Sequence, residues 1–512
     1  MHSRARFVAA ALMLALIALC LTTTPPADAA LARVSGIGGA GQDFSGARLR
    51  AHWRVVPGAT YQTRWASTKA GLGRAVPRAT TATSAYSPAL NRCTTSYVQV
   101  RAVRSGSVGP WSAPKGLRFT SKRPAVARLS GVGLPDAVQF RWPYASYATR
   151  YRVRWNAAPF GKFPGAQTYV GGGWLPASAR SATLRLSTTP HAGDKMMGVA
   201  YANAVFAQIE TNNICRPTAL PRSRYIPVFP KAPDPGAGDR MRMGTYNVEL
   251  FPSGGSRIAT IADNISSHGL QVVALQEANE TTADALVARL GGSWSAVPSV
   301  RLSEGQILYR NDVFRMTSRG SFAVPNPKPG TSDLITPWVK LAQVSPSDRS
   351  RSQSIMVVSV HLAENPSASD LAQKASTGAA AQVAIRAINA ANPEGLPVIS
   401  AGDYRYMREP FCDDPTCHVE APPTFVRSGY YDAMAAVTKV NYQYTTVNGH
   451  SRTYQAISSS GVGTRADYIL LKGFRSSVRY ENVINRFIPG TDKVTPSDHN
   501  LVLADLVIPY SS

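Results

Sequence analysis

Six short polar motifs follow one another through the second half of this 512-residue chain: Thr245-Tyr246-Asn247, Leu275-Gln276-Glu277, Val360-His361-Leu362, Gly402-Asp403-Tyr404-Arg405, Ala466-Asp467-Tyr468 and Ser497-Asp498-His499-Asn500. Each lies at or near an apolar, β-rich run, where a loop at a strand end can carry polar side chains into a shared cleft. Together they supply carboxylates, two histidines and an asparagine. That set suits metal-assisted hydrolysis of a phosphate ester: a cation neutralises the nonbridging oxygens, carboxylates hold the cation, and an imidazole activates water. One such tripeptide means nothing by itself; six in one order carry a signal.

The elements that must position these residues alternate. Beyond residue 238 the spacing predicts helices over Arg257–His268, Ala283–Leu290 and Ser369–Ala391, and apolar strands at Val272–Leu275, Ile355–Val360, Leu396–Ser400, Ile469–Leu471 and Leu501–Val507. This is the pattern of a layered α/β domain. Over roughly residues 239–510 the ordered motifs resemble the endonuclease/exonuclease/phosphatase superfamily, the group of DNase I, sphingomyelinases and inositol-phosphate phosphatases. The resemblance implies a DNase I-like four-layer sandwich over 239–512, two packed mixed sheets with outer helices. It also implies a divalent cofactor, Mg²⁺ or else Mn²⁺ or Ca²⁺.

The resemblance assigns roles residue by residue. Glu277 matches the principal metal-binding glutamate, and Asn247 the asparagine that serves the metal or orients phosphate. His499 matches the general base, with Asp498 beside it at the metal and base site. His361 matches the histidine that binds the scissile phosphate or protonates the leaving oxygen; abasic-site endonucleases place Tyr there, so that branch is disfavoured. Asp467 matches a carboxylate that partners His361 or assists the leaving group, and Asp403 one that lies beside the metal or the transition state. The fourth motif departs from the pattern, because Arg405 stands where Asn is expected. Arg donates to phosphate through a fork but is bulkier, always charged, and competes electrostatically with a metal. Altered substrate geometry, a shifted loop and loss of catalysis are all compatible with it. Arg310, which ends Ile307-Leu308-Tyr309-Arg310, either faces substrate phosphate or lies on the surface. His268, His418 and His450 have no evident partner in the sequence.

The first half reads differently. Residues 34–215 show short alternating segments between Gly, Pro and Ser clusters, an all-β sandwich pattern that occurs twice. The first copy holds Trp53, Tyr61 to Trp65, Tyr97 to Val103 and Gly109-Pro110-Trp111-Ser112. The second holds Gln139 to Trp142, Tyr151 to Trp155 and a late strand near Met197 to Tyr201. They look like two fibronectin type III-like modules, 33–121 and 122–215, whose Trp and Tyr residues form inter-sheet cores. Residues 216–238 are Pro-rich and read as a stiff interdomain linker.

Residues 32–231 contain 28 Lys and Arg against four acids, a net charge of +24, whereas residues 232–512 are neutral. Such a field favours nucleic acid or an anionic envelope polymer as partner, or else it serves solubility. Residues 1–32 read as a signal peptide, with Arg4 and Arg6 before the apolar run Phe7 to Leu21, so the mature chain is expected to be secreted without a membrane span. Cys20 lies inside that signal. Cys412 and Cys417 enclose only four residues and suit a local disulfide, leaving Cys93 to pair with Cys215. Three functions follow. The first is a secreted, divalent-metal-dependent phosphodiester hydrolase acting as a nuclease. The second is a sphingomyelinase-like lipid phosphodiesterase, and the third a catalytically weakened polyanion-binding protein.

Overall fold

The strands that carry the motifs are apolar on both faces, and both faces are covered. Val272–Gln276 is buried throughout, and Ser354–His361 is buried at every position after the first. Continuous apolar runs of this kind need layers above and below the sheet. The computed structural model describes residues 30–43, 47–90, 93–135, 137–156, 169–170, 173–185, 204–252, 255–298, 303–347, 353–363, 365, 367–408, 421–450, 457–458, 461–484 and 496–510.

Two mixed sheets form the second half. The first runs Trp294–Ala296, Gly305–Arg310, Val272–Gln276, Gly238–Asn247, Leu501–Pro509, Ser477–Val483, Ala436–Val440. The second runs Phe314–Val324, Leu334–Gln343, Ser354–His361, Val398–Arg408, Arg465–Lys472, Tyr431–Asp432. Alternate residues divide between two cores, as the period of two requires. Met243, Val272, Ala274 and Ile307 of the first sheet meet Ile355, Val357, Ile399 and Ile469 of the second. The outward Val273, Leu275 and Leu308 pack under Ile258, Ile261, Ala283 and Leu286 of helices Gly255–Ser267 and Glu280–Leu290. On the far side, Met356, Val358 and Leu470 pack under Ala381, Ala384, Ile388 and Phe425 of helices Asp370–Ala391 and Ala421–Arg427. The result is the α/β/β/α sandwich that the resemblance implies.

The first half contains two smaller all-β sandwiches. In one, Gly38–Asp43, Arg48–His52 and Ser84–Tyr86 face a five-stranded sheet built on Thr60–Ala66 and Ser96–Arg104, around Trp53, Tyr61, Trp65 and Val98. In the other, Ser130–Leu134, Ala137–Arg141 and Ser181–Arg185 face a sheet built on Arg150–Asn156 and Val205–Asn212, around Phe140, Trp142 and Tyr151. Trp111 is not core. It lies between the guanidiniums of Arg64 and Arg101, 4.2 and 4.4 Å from its ring centroid. The last long strand of the second sandwich is Val205–Asn212; the segment Met197 to Tyr201, expected as a strand, lies outside the described residues.

The Pro-rich segment 216–238 is packed, which a free spacer would not be. Ile226–Val228 adds an edge strand to the second sandwich, where Pro227 is tolerated. Phe229 then stacks edge-on against Tyr442 at 5.1 Å, and Ser476 Oγ donates to the Pro233 carbonyl at 2.7 Å. Phe206 of the second sandwich shares one apolar core with Met241 and Met243. Cys93 and Cys215 form the expected disulfide. Cys412, Cys417, His418 and residues 1–29 of the signal lie outside the described residues, among which no helix is long and apolar enough to cross a membrane.

Candidate active site

Strand register brings the motifs to one edge of the sandwich. Gly238–Asn247 and Val272–Gln276 are parallel with Asn247 opposite Gln276, so Asn247 and Glu277 emerge together. In the other sheet His361 lies opposite Asp403, and Asp403 opposite Asp467, which sets three motif residues in one row. The close strand approach requires Gly402, since a Cβ there would stand 1.8 Å from the Val360 carbonyl oxygen. A buried chain of hydrogen bonds joins the sheets beneath the site. Thr245 Oγ1 donates to Gln276 Oε1 at 3.2 Å, Gln276 Nε2 to Ser359 Oγ at 3.1 Å, and Ser359 Oγ to the Leu275 carbonyl at 2.7 Å. Every member has a partner, so the chain rigidifies the floor.

On this floor the side chains converge. Asn247 Nδ2 donates to Glu277 Oε1 at 3.1 Å and to Asp403 Oδ2 at 3.0 Å. His499 is 6 % exposed; its Nδ1 lies 3.0 Å from Asp467 Oδ2, and its Nε2 lies 3.8 Å from Asp403 Oδ2 and 3.9 Å from Asp498 Oδ1. His361 Nε2 lies 4.0 Å from Glu277 Oε1. Arg405 Nη2 donates to the same Glu277 oxygen at 3.0 Å. Asn247, Glu277, His361, Asp403, Arg405, Asp467, Asp498 and His499 therefore form one cluster.

Two expectations need correction. Asp467 serves His499 and not His361, because its strand delivers the carboxylate to Nδ1 of the C-terminal histidine. The carboxylate beside His361 is Glu304, with Oε2 3.2 Å from Nδ1. Glu304 is the cluster residue the motifs did not show; its trace in the sequence is a polar residue directly before the apolar strand Gly305–Arg310. Arg310 does not reach the site. Its strand runs antiparallel to Val272–Gln276, with Gly305 opposite Gln276 and Tyr309 opposite Val272, so Arg310 stands about 17 Å from the site end. There it pairs with Asp312, Nε donating to Oδ1 at 2.9 Å. Two other histidines acquire partners: His450 Nε2 lies 2.8 Å from Glu249 Oε1, and His268 Nδ1 lies 2.8 Å from the Asn264 carbonyl.

The backbone is strained where the cluster is tightest. Glu277 and Arg405 have φ of 49° and 54°, and Glu249, Leu250 and Phe251 form a run at 56°, 53° and 48°. Left-handed backbone costs a non-glycine residue about 1 kcal/mol or more and persists only where contacts overdetermine it. The contacts are present: Glu249 N donates to Asn247 Oδ1 at 3.0 Å, Leu250 N to Glu277 Oε2 at 3.0 Å, and Phe251 N to the Glu277 carbonyl at 2.9 Å. The turn displays Leu250 and Phe251 to solvent, 69 % and 38 % exposed.

Electrostatics divide the carboxylates. Burial opposes ionisation of Asp403, yet the charges of His499, then His361 and Arg405, outweigh it and hold the carboxyl below its usual range. Burial raises Asp467 despite its contact with His499. Burial alone would depress the His499 imidazole, but Asp467, with Asp403 and Asp498 behind it, pushes it up to about 10. The contact with His361 holds Glu304 below its usual range. Nδ1 of His499 is thus fixed as a donor to Asp467, and Nε2 is the atom able to exchange a proton in the cleft.

The donors do not fit a directly bound divalent cation in this arrangement. Glu277 Oε1 already accepts from both Asn247 and Arg405, and Oε2 accepts from Leu250. Asn247 Oδ1 is turned to the Glu249 amide. Among the described residues no three His, Cys, Asp or Glu side chains are grouped to hold one ion. The guanidinium stands at the carboxylate on which Mg²⁺ was expected.

Replacing Glu304 with Ala is expected to lower kcat/KM on a phosphodiester by roughly 10-fold, the effect of removing the carboxylate that stands 3.2 Å from His361 Nδ1. Steady-state kinetics on a chromogenic diester measure this, and an unchanged rate would show that Glu304 does not position His361.

No protein-family model matches the sequence, and no curated protein matches it. Solved structures align with about half of the chain. A functionally unknown conserved protein from Enterococcus faecalis V583 is 17% identical, over 52% of this chain and 100% of its own, with a TM-score of 0.39. TDP2 from D. rerio, solved with a single-strand DNA product, is 15% identical over 53% and 99%, with a TM-score of 0.37. The beta toxin of Staphylococcus aureus is 13% identical over 52% and 99%, with a TM-score of 0.39. At such values the geometry of this chain's own side chains is what supports a functional reading.

Proposed function

We propose that this chain is an exported phosphodiester hydrolase whose substrate is nucleic acid. The observation that carries the reading is the His499–Asp467 pair, buried at one edge of two facing sheets, with Nε2 toward Asp403, the carboxylate that Asn247 and Arg405 also contact. In the reaction a water oxygen attacks phosphorus while His499 Nε2 takes its proton. Asp467 holds the ring and stabilises the imidazolium. Arg405 neutralises the nonbridging oxygens. As the ester P–O bond breaks, His361, oriented by Glu304, delivers a proton to the leaving oxygen. Turnover of plasmid DNA, RNA and sphingomyelin, with His499→Ala as blank, tests this reading. Nucleic-acid cleavage by the wild type alone supports it; turnover of none of them by the wild type would refute it.

The basic half favours a polymer substrate. We take the two sandwiches as fibronectin type III-like modules, and the net charge of +24 over residues 32–231 concentrates a polyanion near the cleft. Removing them is a poor test, because Phe206 shares a core with the catalytic half. Arg48, Arg54, Arg74 and Arg78 are exposed and can be changed to Gln without opening a core. The quadruple variant is expected to cleave DNA several-fold more slowly at low salt, with a shallower salt dependence and unchanged turnover of a small diester. Equal loss on both substrates would remove the tether from the scheme.

The exposed Leu250 and Phe251 support a second reading, a sphingomyelinase-like enzyme in which these side chains meet the lipid's hydrocarbon. Turnover of sphingomyelin without nucleic-acid cleavage would favour it.

A further inference from the structure

We propose that Arg405 is the resident cation of this site: it fills, at Glu277 and Asp403, the position a divalent ion would need, so that hydrolysis proceeds without a bound metal. The inference rests on the phosphodiesterase reading above. Glu277 and Asp403 are 16% and 0% exposed at the side chain and share one Asn247 amide. Two carboxylates so placed repel unless a cation lies between them. Arg405 supplies it, with Nη2 3.0 Å from Glu277 Oε1 and Nε 3.8 Å from Asp403 Oδ2.

The backbone builds this placement. Arg405 has φ 54°, a conformation that suits Asn better than Arg, and its own N–H donates to Asp403 Oδ1 at 2.7 Å. That turn folds the side chain back over the cluster. The side chain is 40% exposed, so the outer part of its planar fork meets an incoming phosphate. A guanidinium keeps its charge at every working pH. It therefore provides the neutralisation that a metal would give, from a position no metal can share without displacing it. Mg²⁺ keeps most of its waters and demands near-ideal octahedral geometry, so it competes poorly for a carboxylate oxygen already holding two donors.

The test uses the full chain, Mg²⁺ and Mn²⁺. Calorimetric titration and thermal shift are followed for the wild type, Arg405→Asn and Glu277→Gln, and hydrolysis of bis(para-nitrophenyl) phosphate is measured in EDTA. The wild type is expected to show no saturable binding and to keep its rate in EDTA. Arg405→Asn is expected to lose about 10²-fold of that rate and to gain saturable metal binding with a raised Tm. Saturable binding by the wild type that Glu277→Gln removes would overturn the proposal, as would loss of wild-type activity in EDTA with recovery on Mg²⁺. The wild-type titration decides even where a variant fails to fold. Absence of hydrolysis in every protein would sink the functional reading, while the metal titration would still decide, by itself, whether Arg405 occupies the cation position.

Discussion

His499→Ala is expected to lower kcat/KM on a phosphodiester by about 10³-fold, well beyond the stability lost by leaving Asp467 without its partner, because it removes the general base proposed above. The imidazole is buried at the site edge of the sandwich, with Asp467 on Nδ1 and Asp403 3.8 Å from Nε2. The same geometry sets a pH dependence. A base acts only when neutral, and Asp467, Asp403 and Asp498 push His499 up to about 10. Below that value the neutral fraction falls tenfold per pH unit, so kcat/KM on bis(para-nitrophenyl) phosphate, whose nitrophenolate leaves without a proton from His361, should climb from neutral toward alkaline pH. Asp467→Asn removes the largest of the contacts that raise the ring. Its acid limb should therefore move to lower pH while its plateau falls, since the amide holds the ring less well. A limb that stays in place in Asp467→Asn would put the titrating base elsewhere.

Asp432→Ala is expected to destabilise the protein by about 3–5 kcal/mol, through a different mechanism. Arg465 and Asp432 are 3% and 7% exposed and form a two-pronged pair, Nη1 to Oδ1 at 3.1 Å and Nη2 to Oδ2 at 2.7 Å. Burial opposes the charge on Arg465, but Asp432 outweighs it and raises the guanidinium above its ordinary value. Removing the carboxylate strands a charge that has no route to water. It also orphans the Met434 amide, which donates to Asp432 Oδ1 at 2.9 Å. Arg465 lies two residues before Asp467 on the same strand, so activity should fall at a lower temperature in step with unfolding. The double change Asp432→Ala, Arg465→Met should recover much of the loss, because it removes the unpaired charge. Urea denaturation measures both. A single-variant cost below about 1 kcal/mol would show that the pair is not sealed from solvent.

What the sequence revealed follows from which interactions are local. Glu277 and Asp403 follow, and Asp467 and His499 precede, apolar runs that are readable, and the helices between those runs have the right spacing. The α/β sandwich and most of the cluster were legible for that reason. Partnerships made by the fold were not. His361 and Glu304 meet across two strands of different sheets, and Glu249 and His450 are 201 residues apart. The choice between His361 and His499 as the partner of Asp467 depended on how the side chains project from a shared register, which no spacing encodes. Arg310 misled because a polar residue after a strand looks the same at either end of a sheet. Strand direction, fixed by pairing with Val272–Gln276, sent it away from the site. The linker misled in the opposite way. Its prolines signalled stiffness, while Tyr225, Ile226 and Phe229 among them were the signal for packing.

Arg405 is visible in the sequence as a departure, but its consequence lies in the fold. In sequence it was a bulky substitute for Asn. In the structure it is the ion partner of Glu277, the residue expected to hold a metal.

Water attack on phosphorus, activated by His499, is tested most directly by turning over bis(para-nitrophenyl) phosphate in heavy-oxygen water. The product para-nitrophenyl phosphate is then analysed by mass spectrometry for the wild type and for His499→Ala. The expected result is wild-type product carrying the label on phosphorus and unlabelled nitrophenolate, with turnover by His499→Ala lower by about 10³-fold. Label in the nitrophenolate, or equal turnover by the two proteins, would contradict it.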